Sequence, residues 1–319
     1  MKKIILLTIP ILLFSEDISI FDKYHIVVSK WIMDKSDALD RFLAGVQDSK
    51  SLSNTKVTLS YELGSNNLGK FSNDFDFSLS LNLPRFQDKA KITLEKVLSN
   101  KSLVGNNRES QLSKSDENSD NKYNLALSLS QWRGKRASIY FRGGLRLGKN
   151  IIDPYIGIVS GYNIISNSKK EFNIKNRIRY YFAGEIKDNL STQYLYNYSD
   201  HILLGWLGNL DYSNREKEQI LTSEFIWHRS INKYKFYRVG FIANAKLKHF
   251  KHLRKNDFEV YVKYHNKFRD KDWAFYEITP FVDKRKEDNW HTTYGVKLKV
   301  GATFGGIKDF IHKNPIFRK

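Results

Sequence analysis

Residues Phe71 to Leu83 read FSNDFDFSLSLNL. Phe71, Phe75, Phe77, Leu79, Leu81 and Leu83 alternate with Ser72, Asp74, Asp76, Ser78, Ser80 and Asn82, so a strand built from them has one apolar and one polar face. Globular strands average about five or six residues, whereas a tilted strand needs roughly 9–11 to cross a bilayer. The stretch has the length and patterning of a strand with one side in lipid.

The same period runs through most of the chain. Upstream, Val57, Leu59, Tyr61 and Leu63 alternate with Lys56, Thr58, Ser60 and Glu62. Downstream it returns in Tyr123 to Leu129, Ala137 to Leu147, Phe172 to Ile186, Tyr237 to Leu247, Phe258 to Tyr264 and Tyr294 to Phe304. It weakens in Ile152 to Ile164, Leu190 to Tyr198, Ile202 to Tyr212, Ile220 to His228 and Trp273 to Val282, and is partial between Lys89 and Leu98. These segments predict an all-β fold, a closed antiparallel transmembrane β-barrel of 12 to 16 strands over residues 54–304, with fourteen the favoured number.

Aromatic residues make up 14% of the chain, and Trp132, Trp227, Trp273 and Trp290 fall at predicted strand ends, where interfacial girdles belong. Counting connections from a periplasmic N-terminus makes the odd ones external. Gly64 to Lys70, Ser99 to Asn121, Phe250 to Asn256 and Asp283 to Asn289 are then the long outer loops. The turns at Pro84 to Asp88, Arg133 to Lys135, Ser199 to Asp200, Arg229 to Asn232 and Phe268 to Lys271 are mostly short and lie inside. The tract from Ser99 to Asn121 is rich in Ser, Asn, Asp, Glu and Lys, with little to bury, and is expected as a mobile external loop.

Ahead of the strands, Lys2 and Lys3 precede an apolar run from Ile4 to Phe14, the layout of a signal peptide over residues 1–15. A helical segment is expected within residues 16–53. Val28, Ile32, Leu39, Phe42 and Val46 form an apolar stripe, and Asp34, Asp37 and Asp40 an acidic one. The apolar stripe is expected to pack against the barrel mouth or lumen, which makes the helix a candidate plug.

The chain has no cysteine, which removes disulfides, thiolate metal sites and lipidation of an N-terminal cysteine. A formal charge of +19 favours anionic partners. Export points to outer-membrane lipids, lipopolysaccharide and small solutes rather than nucleic acid. Serine-hydrolase, zinc-protease, phosphate-loop and calcium-loop signatures are missing, and neither a cofactor nor a metal is expected. His228 beside Ser230 and His265 beside Asn266 are the nearest match to a lipid-active enzyme, which would need Ser and His on the outer wall. His249 and His252 lie among Lys246, Lys248, Lys251, Arg254 and Lys255, a setting that suits lipopolysaccharide phosphates better than a cation.

With the apolar sets facing lipid, Arg136, Arg142, Arg146, Lys175, Arg177, Arg179, Arg238, Lys246, Lys263, Lys297 and Lys299 face the lumen. Glu62, Asp74, Asp76, Glu95, Glu171, Glu185 and Glu259 share it. The acids are richer in the first three strands and the bases in the central and later ones. Such a lumen implies a channel for small polar or anionic solutes. The alternatives are a sealed structural or surface-interaction barrel anchored in lipopolysaccharide, and a lipid-active barrel enzyme.

Two resemblances accompany this reading. The last strand, with Tyr294, Val296, Leu298, Val300 and Phe304 on one face, resembles the terminal strand by which the barrel assembly machinery recognises outer-membrane proteins, although here residues 305–319 follow as a periplasmic tail. Trp31, Asp34, Asp40, Arg41 and Phe42, with Leu83, Pro84 and Arg85, resemble a group of uncharacterised proteobacterial outer-membrane barrel proteins that carry a Trp-x-x-Asp helix and a Leu-Pro turn. That resemblance implies the outer membrane of a Gram-negative bacterium and implies no activity.

Overall fold

The computed structural model describes residues 20–45, 55–83, 90–96, 123–134, 136–147, 152–215, 217–248, 252–268, 271–285 and 289–305. The expected signal peptide, the Ser99 to Asn121 tract, Pro84, Arg85, Val46, His249 and the tail after Gly305 lie outside them. Among the described residues one helix, α1 (Ile20–Ala44), precedes fourteen strands. These are β1 (Thr55–Asn66), β2 (Phe71–Leu83), β3 (Ala90–Lys96), β4 (Tyr123–Arg133), β5 (Ala137–Leu147), β6 (Ile152–Ser166) and β7 (Lys170–Tyr181). They continue with β8 (Glu185–Ser199), β9 (Ile202–Ser213), β10 (Glu218–Ser230), β11 (Lys235–Lys248), β12 (His252–Phe268), β13 (Lys271–Arg285) and β14 (Thr292–Gly305). Each strand pairs antiparallel with its sequence neighbours, and β1 pairs with β14 from Lys56↔Gly305 to Asn66↔Gly295 to close the barrel. A closed ladder satisfies every strand without an edge, which a bilayer requires.

The alternation decides which side chain goes where. Ile158, Phe225, Val260, Leu298 and Val300 point outward and stay exposed, Phe225 by 54%. Such a continuous apolar wall is stable in lipid and not in water, so the protein is a membrane-spanning barrel of the outer-membrane type. Aromatics ring both ends of this wall. Tyr237, Tyr264, Tyr276 and Phe268 form a chain at the short-turn end, with ring centroids 5.0, 6.0 and 5.7 Å apart in successive pairs. Phe258 stacks on Trp290 at 5.9 Å at the other end. Trp273, at the short-turn end of β13, ties α1 to the barrel, its indole Nε1 donating to Asp22 Oδ1 at 3.1 Å.

Inside, glycines seat aromatic rings. A Cβ at Gly240 would meet the Tyr261 ring at 2.3 Å, one at Gly301 would meet Phe275 at 2.3 Å, and one at Gly295 would meet Phe281 at 2.8 Å. Each ring lies flat on the bare backbone of the neighbouring strand, which fills lumen space beside β11 to β14.

The connections differ from expectation. β1 runs on to Asn66, β12 begins at His252 and β13 reaches Arg285, so strand extends into three segments read as long outer loops and takes up most of Phe250 to Asn256. The tract read as the longest outer loop, Ser99 to Asn121, lies outside the described residues. The strand predicted from Phe172 to Ile186 is broken by a turn at residues 182–184, where Gly184 takes φ 82° and its N–H donates to Tyr181 O at 2.9 Å. Phe182 kept the apolar rhythm through the turn and hid it.

Helix α1 sits at the short-turn end of the β13, β14 and β1 strands, attached by polar groups. His25 Nε2 donates to Thr303 O at 2.9 Å, Gly305 N–H donates to Ser29 Oγ at 3.3 Å, and Ser36 Oγ bonds Thr55 Oγ1. The docked face lies between the two stripes read from the sequence, with Ile32 and Leu39 half-buried and Asp34 exposed. Phe42 is 81% exposed and Val28 is also exposed, while Asp40, from the supposed solvent stripe, is fully buried. Strand ends present unpaired backbone N–H and C=O groups, and polar side chains satisfy them where an apolar stripe cannot.

Candidate functional site

The expected lumen residues on the described strands do point inward, but the barrel divides them into two kinds of wall. On β1 and β2, Glu62 is paired in register with Asp74, and Ser60 with Asp76, giving an acidic strip. On β5 to β8 the register runs Arg142↔Gly157↔Arg179↔Lys187, with Lys175 and Arg177 on the same face of β7. Gly157 makes room between the arginines, since a Cβ there would meet Arg179 Cγ at 3.1 Å. Arg142 Nη2 donates to Thr93 Oγ1 at 3.1 Å and Arg179 Nη1 to Tyr181 Oη at 3.2 Å. All of these charged residues keep part of their surface open to solvent. In the fourteen-strand ring β7 stands six strands from β1 and five from β2, so its basic strip lies across the lumen from the acidic one, with Arg142 of β5 on the wall between them.

The inward face of β8 to β14 is packed instead. Leu195, Leu203, Leu207, Ile226, Ile242, Tyr261 and Phe281 are buried on it. The bases expected there as free lumen charges are absorbed into this packing. Lys297 is 2% exposed, with its Nζ 5.0 Å from the Phe281 ring centroid. Lys263 Nζ lies 3.3 Å from Glu277 Oε2, whose other oxygen is 3.0 Å from His265 Nδ1. Lys299 stands in register between Glu62 and Glu277, and Arg238 is buried beside Lys263. Tyr261 Oη donates to Glu224 Oε1 at 2.7 Å.

Two further bases leave the candidate path. Arg146 is clamped by Asp153 at 2.5 Å and Glu185 at 2.6 Å, with its guanidinium 4.0 Å over Tyr181. Arg136 lies exposed in the turn before β5 rather than on the strand. Lys246 faces inward on β11, opposite Ile220.

The candidate enzyme residues do not assemble an outer-wall pair. His228 and His265 face inward and flank Phe236, at 4.7 and 4.6 Å between centroids, while Ser230 Oγ donates to the turn carbonyl of Asn232. Asn266 faces outward and donates to Tyr276 Oη at 3.1 Å. In β14, Tyr294, Val296, Leu298, Val300 and Phe304 share the outward face, as the assembly-strand pattern requires. On α1, Asp37 pairs with Arg41 at 3.3 Å, and Asp34, Trp31 and Phe42 are exposed.

No family model and no curated protein matches the chain. Among solved structures the barrel is similar to in-vitro folded OmpT, an outer membrane protein of Vibrio cholerae, at 8% identity and TM-score 0.50, covering 81% of this chain and 99% of that one. It is also similar to the outer membrane channel DcaP of Acinetobacter baumannii (7% identity, 81% and 99% covered, TM-score 0.48). A third is an anion-selective porin from Comamonas acidovorans (8% identity, 79% and 99% covered, TM-score 0.49). At such identity the likeness is one of fold.

Proposed function

We propose that the barrel is a channel for small polar or anionic solutes, and that the solutes pass along its β1 to β8 side. The observation that carries this reading is the contrast in exposure. Glu62, Asp74, Asp76, Arg142, Lys175, Arg177 and Arg179 remain open to solvent, whereas Lys263, Lys297 and Lys299 on the far side are sealed. Charges held at a pore wall lower the entry cost of ions of opposite sign. With Lys187, five inward bases on these strips stand against the three acids, which favours anions. The opposed strips also suit a solute that carries both signs, which would cross with its charges pointed at the two walls.

The packed half favours a second reading, a sealed barrel that serves as surface structure. Reaction with charged thiol reagents separates the two, because the natural chain lacks cysteine. Asp76→Cys and Arg177→Cys are expected to react from the aqueous side and to lose current on modification. Thr279→Cys, at a position 2% exposed, is expected to resist. Equal protection of all three contradicts the path.

A further inference from the structure

The hydrogen bonds that seat α1 fix its roll. Asp22, His25, Ser29 and Ser36 hold the strand ends, and with Asp40 they lie along one face of a helix turning 100° per residue. A second face, nearly half a turn away, carries Tyr24, Val27, Trp31 and Phe42, with Phe21 and Val28 bridging one side toward the docked face. Tyr24, Val27 and Trp31 are each at least 60% exposed. A third face carries exposed Lys23 and Lys30 together with Asp34 and the ion-paired Asp37 and Arg41. Docked, apolar and charged faces are thus distinct. Among the described residues only the first is occupied by protein.

What covers the second face follows from what it adjoins. The ring of His25 stacks 5.1 Å from Phe304, which points outward from the end of β14. At the same end of the barrel, Tyr237, Tyr264, Tyr276 and Phe268 mark where the lipid-facing wall meets the headgroups. From His25 the apolar surface runs round α1 through its neighbours Phe21 and Val28 to Tyr24 and Trp31, so it starts beside Phe304, a residue of the lipid-facing wall. Aromatic residues on one face with lysine and arginine on another is the layout of a helix lying in a membrane interface, where the rings enter the acyl boundary and the cations meet phosphates. Lys35, among the apolar residues, has a stem long enough to return its ammonium to the headgroups.

We propose that α1 is an interfacial membrane helix, with Tyr24, Val27, Trp31 and Phe42 seated in the periplasmic leaflet beside the β1–β14 seam and Lys23 and Lys30 at the phospholipid headgroups. The helix ties the seam where the barrel closes to the surface of the bilayer. This rests on the barrel's membrane wall and not on whether the barrel conducts.

The full chain carrying Trp31→Cys, Phe42→Cys or Lys30→Cys can be labelled at that single thiol with an environment-sensitive fluorophore. It is then reconstituted in phosphatidylethanolamine–phosphatidylglycerol vesicles, with heat-modifiable mobility confirming that each variant has closed its barrel. Labels at 31 and 42 are expected to be quenched severalfold more by lipid-borne bromine than by aqueous iodide, and the label at 30 to show the reverse. If iodide quenches all three alike while brominated lipid leaves 31 and 42 untouched, the face is turned to the lumen or to another protein, and the proposal fails.

Discussion

A bilayer containing the Arg177→Glu/Arg179→Glu protein is expected to show a zero-current potential moved strongly toward cation preference. The two exchanges alter the charge on the β7 wall by four units on strands whose neighbours already hold Arg142 and Lys187 in register. Four charges about 10 Å from a passing ion contribute about 1.7 kcal/mol in water, cut to about 0.6 kcal/mol by screening at 0.1 M salt. The effect acts on anion and cation in opposite directions, so the anion-to-cation permeability ratio should fall roughly tenfold. The shift should shrink as salt is raised. A potential equal to that of the natural protein at low salt would place these side chains outside the conducting path.

Glu277→Gln is expected to give the largest loss of stability of any single exchange inside the barrel, with ion preference unchanged. The carboxylate is 13% exposed and neutralises Lys263, itself 5% exposed, while Lys299 and His265 crowd the same space. Removing its charge takes away the carboxylate paired with buried Lys263 at 3.3 Å, a change that costs about 3–5 kcal/mol in comparable pairs. The midpoint of the heat-modifiable transition in detergent, or of urea unfolding in vesicles, should fall accordingly. An unmoved midpoint would mean that water reaches Lys263 and that the β12–β14 interior is open.

These two experiments probe features that the sequence announced unequally. Where one face is lipid-exposed and the other carries polar side chains, as on β2 and β14, strict alternation such as Phe75 to Leu83 or Tyr294 to Val300 gave the strand, its facing and its partners' parity. The weak alternation of the segments that became β8, β9 and β10 was itself informative. Leu195, Leu203, Leu207 and Ile226 are apolar residues on the inward face, so both faces are apolar and the rhythm fades where the lumen is packed. The sequence also listed Arg142 and Lys297 as equivalent lumen bases. Only three-dimensional neighbours separate them, since Phe281 lies flat on Gly295 and under Lys297, whereas Gly157 opens space beside Arg142. The helix was misjudged for a related reason. Periodicity reveals that α1 is amphipathic, but the partner decides which face docks, and here the partner is a strand end with backbone groups to satisfy.

The central claim, that the open half of the lumen conducts, is tested most directly by recording single molecules of the unaltered protein in a planar bilayer under a potassium chloride gradient. Discrete current steps with a zero-current potential displaced toward that of chloride are predicted. A correctly folded, heat-modifiable protein that leaves the bilayer silent at every applied voltage would contradict the account and leave a sealed barrel in its place.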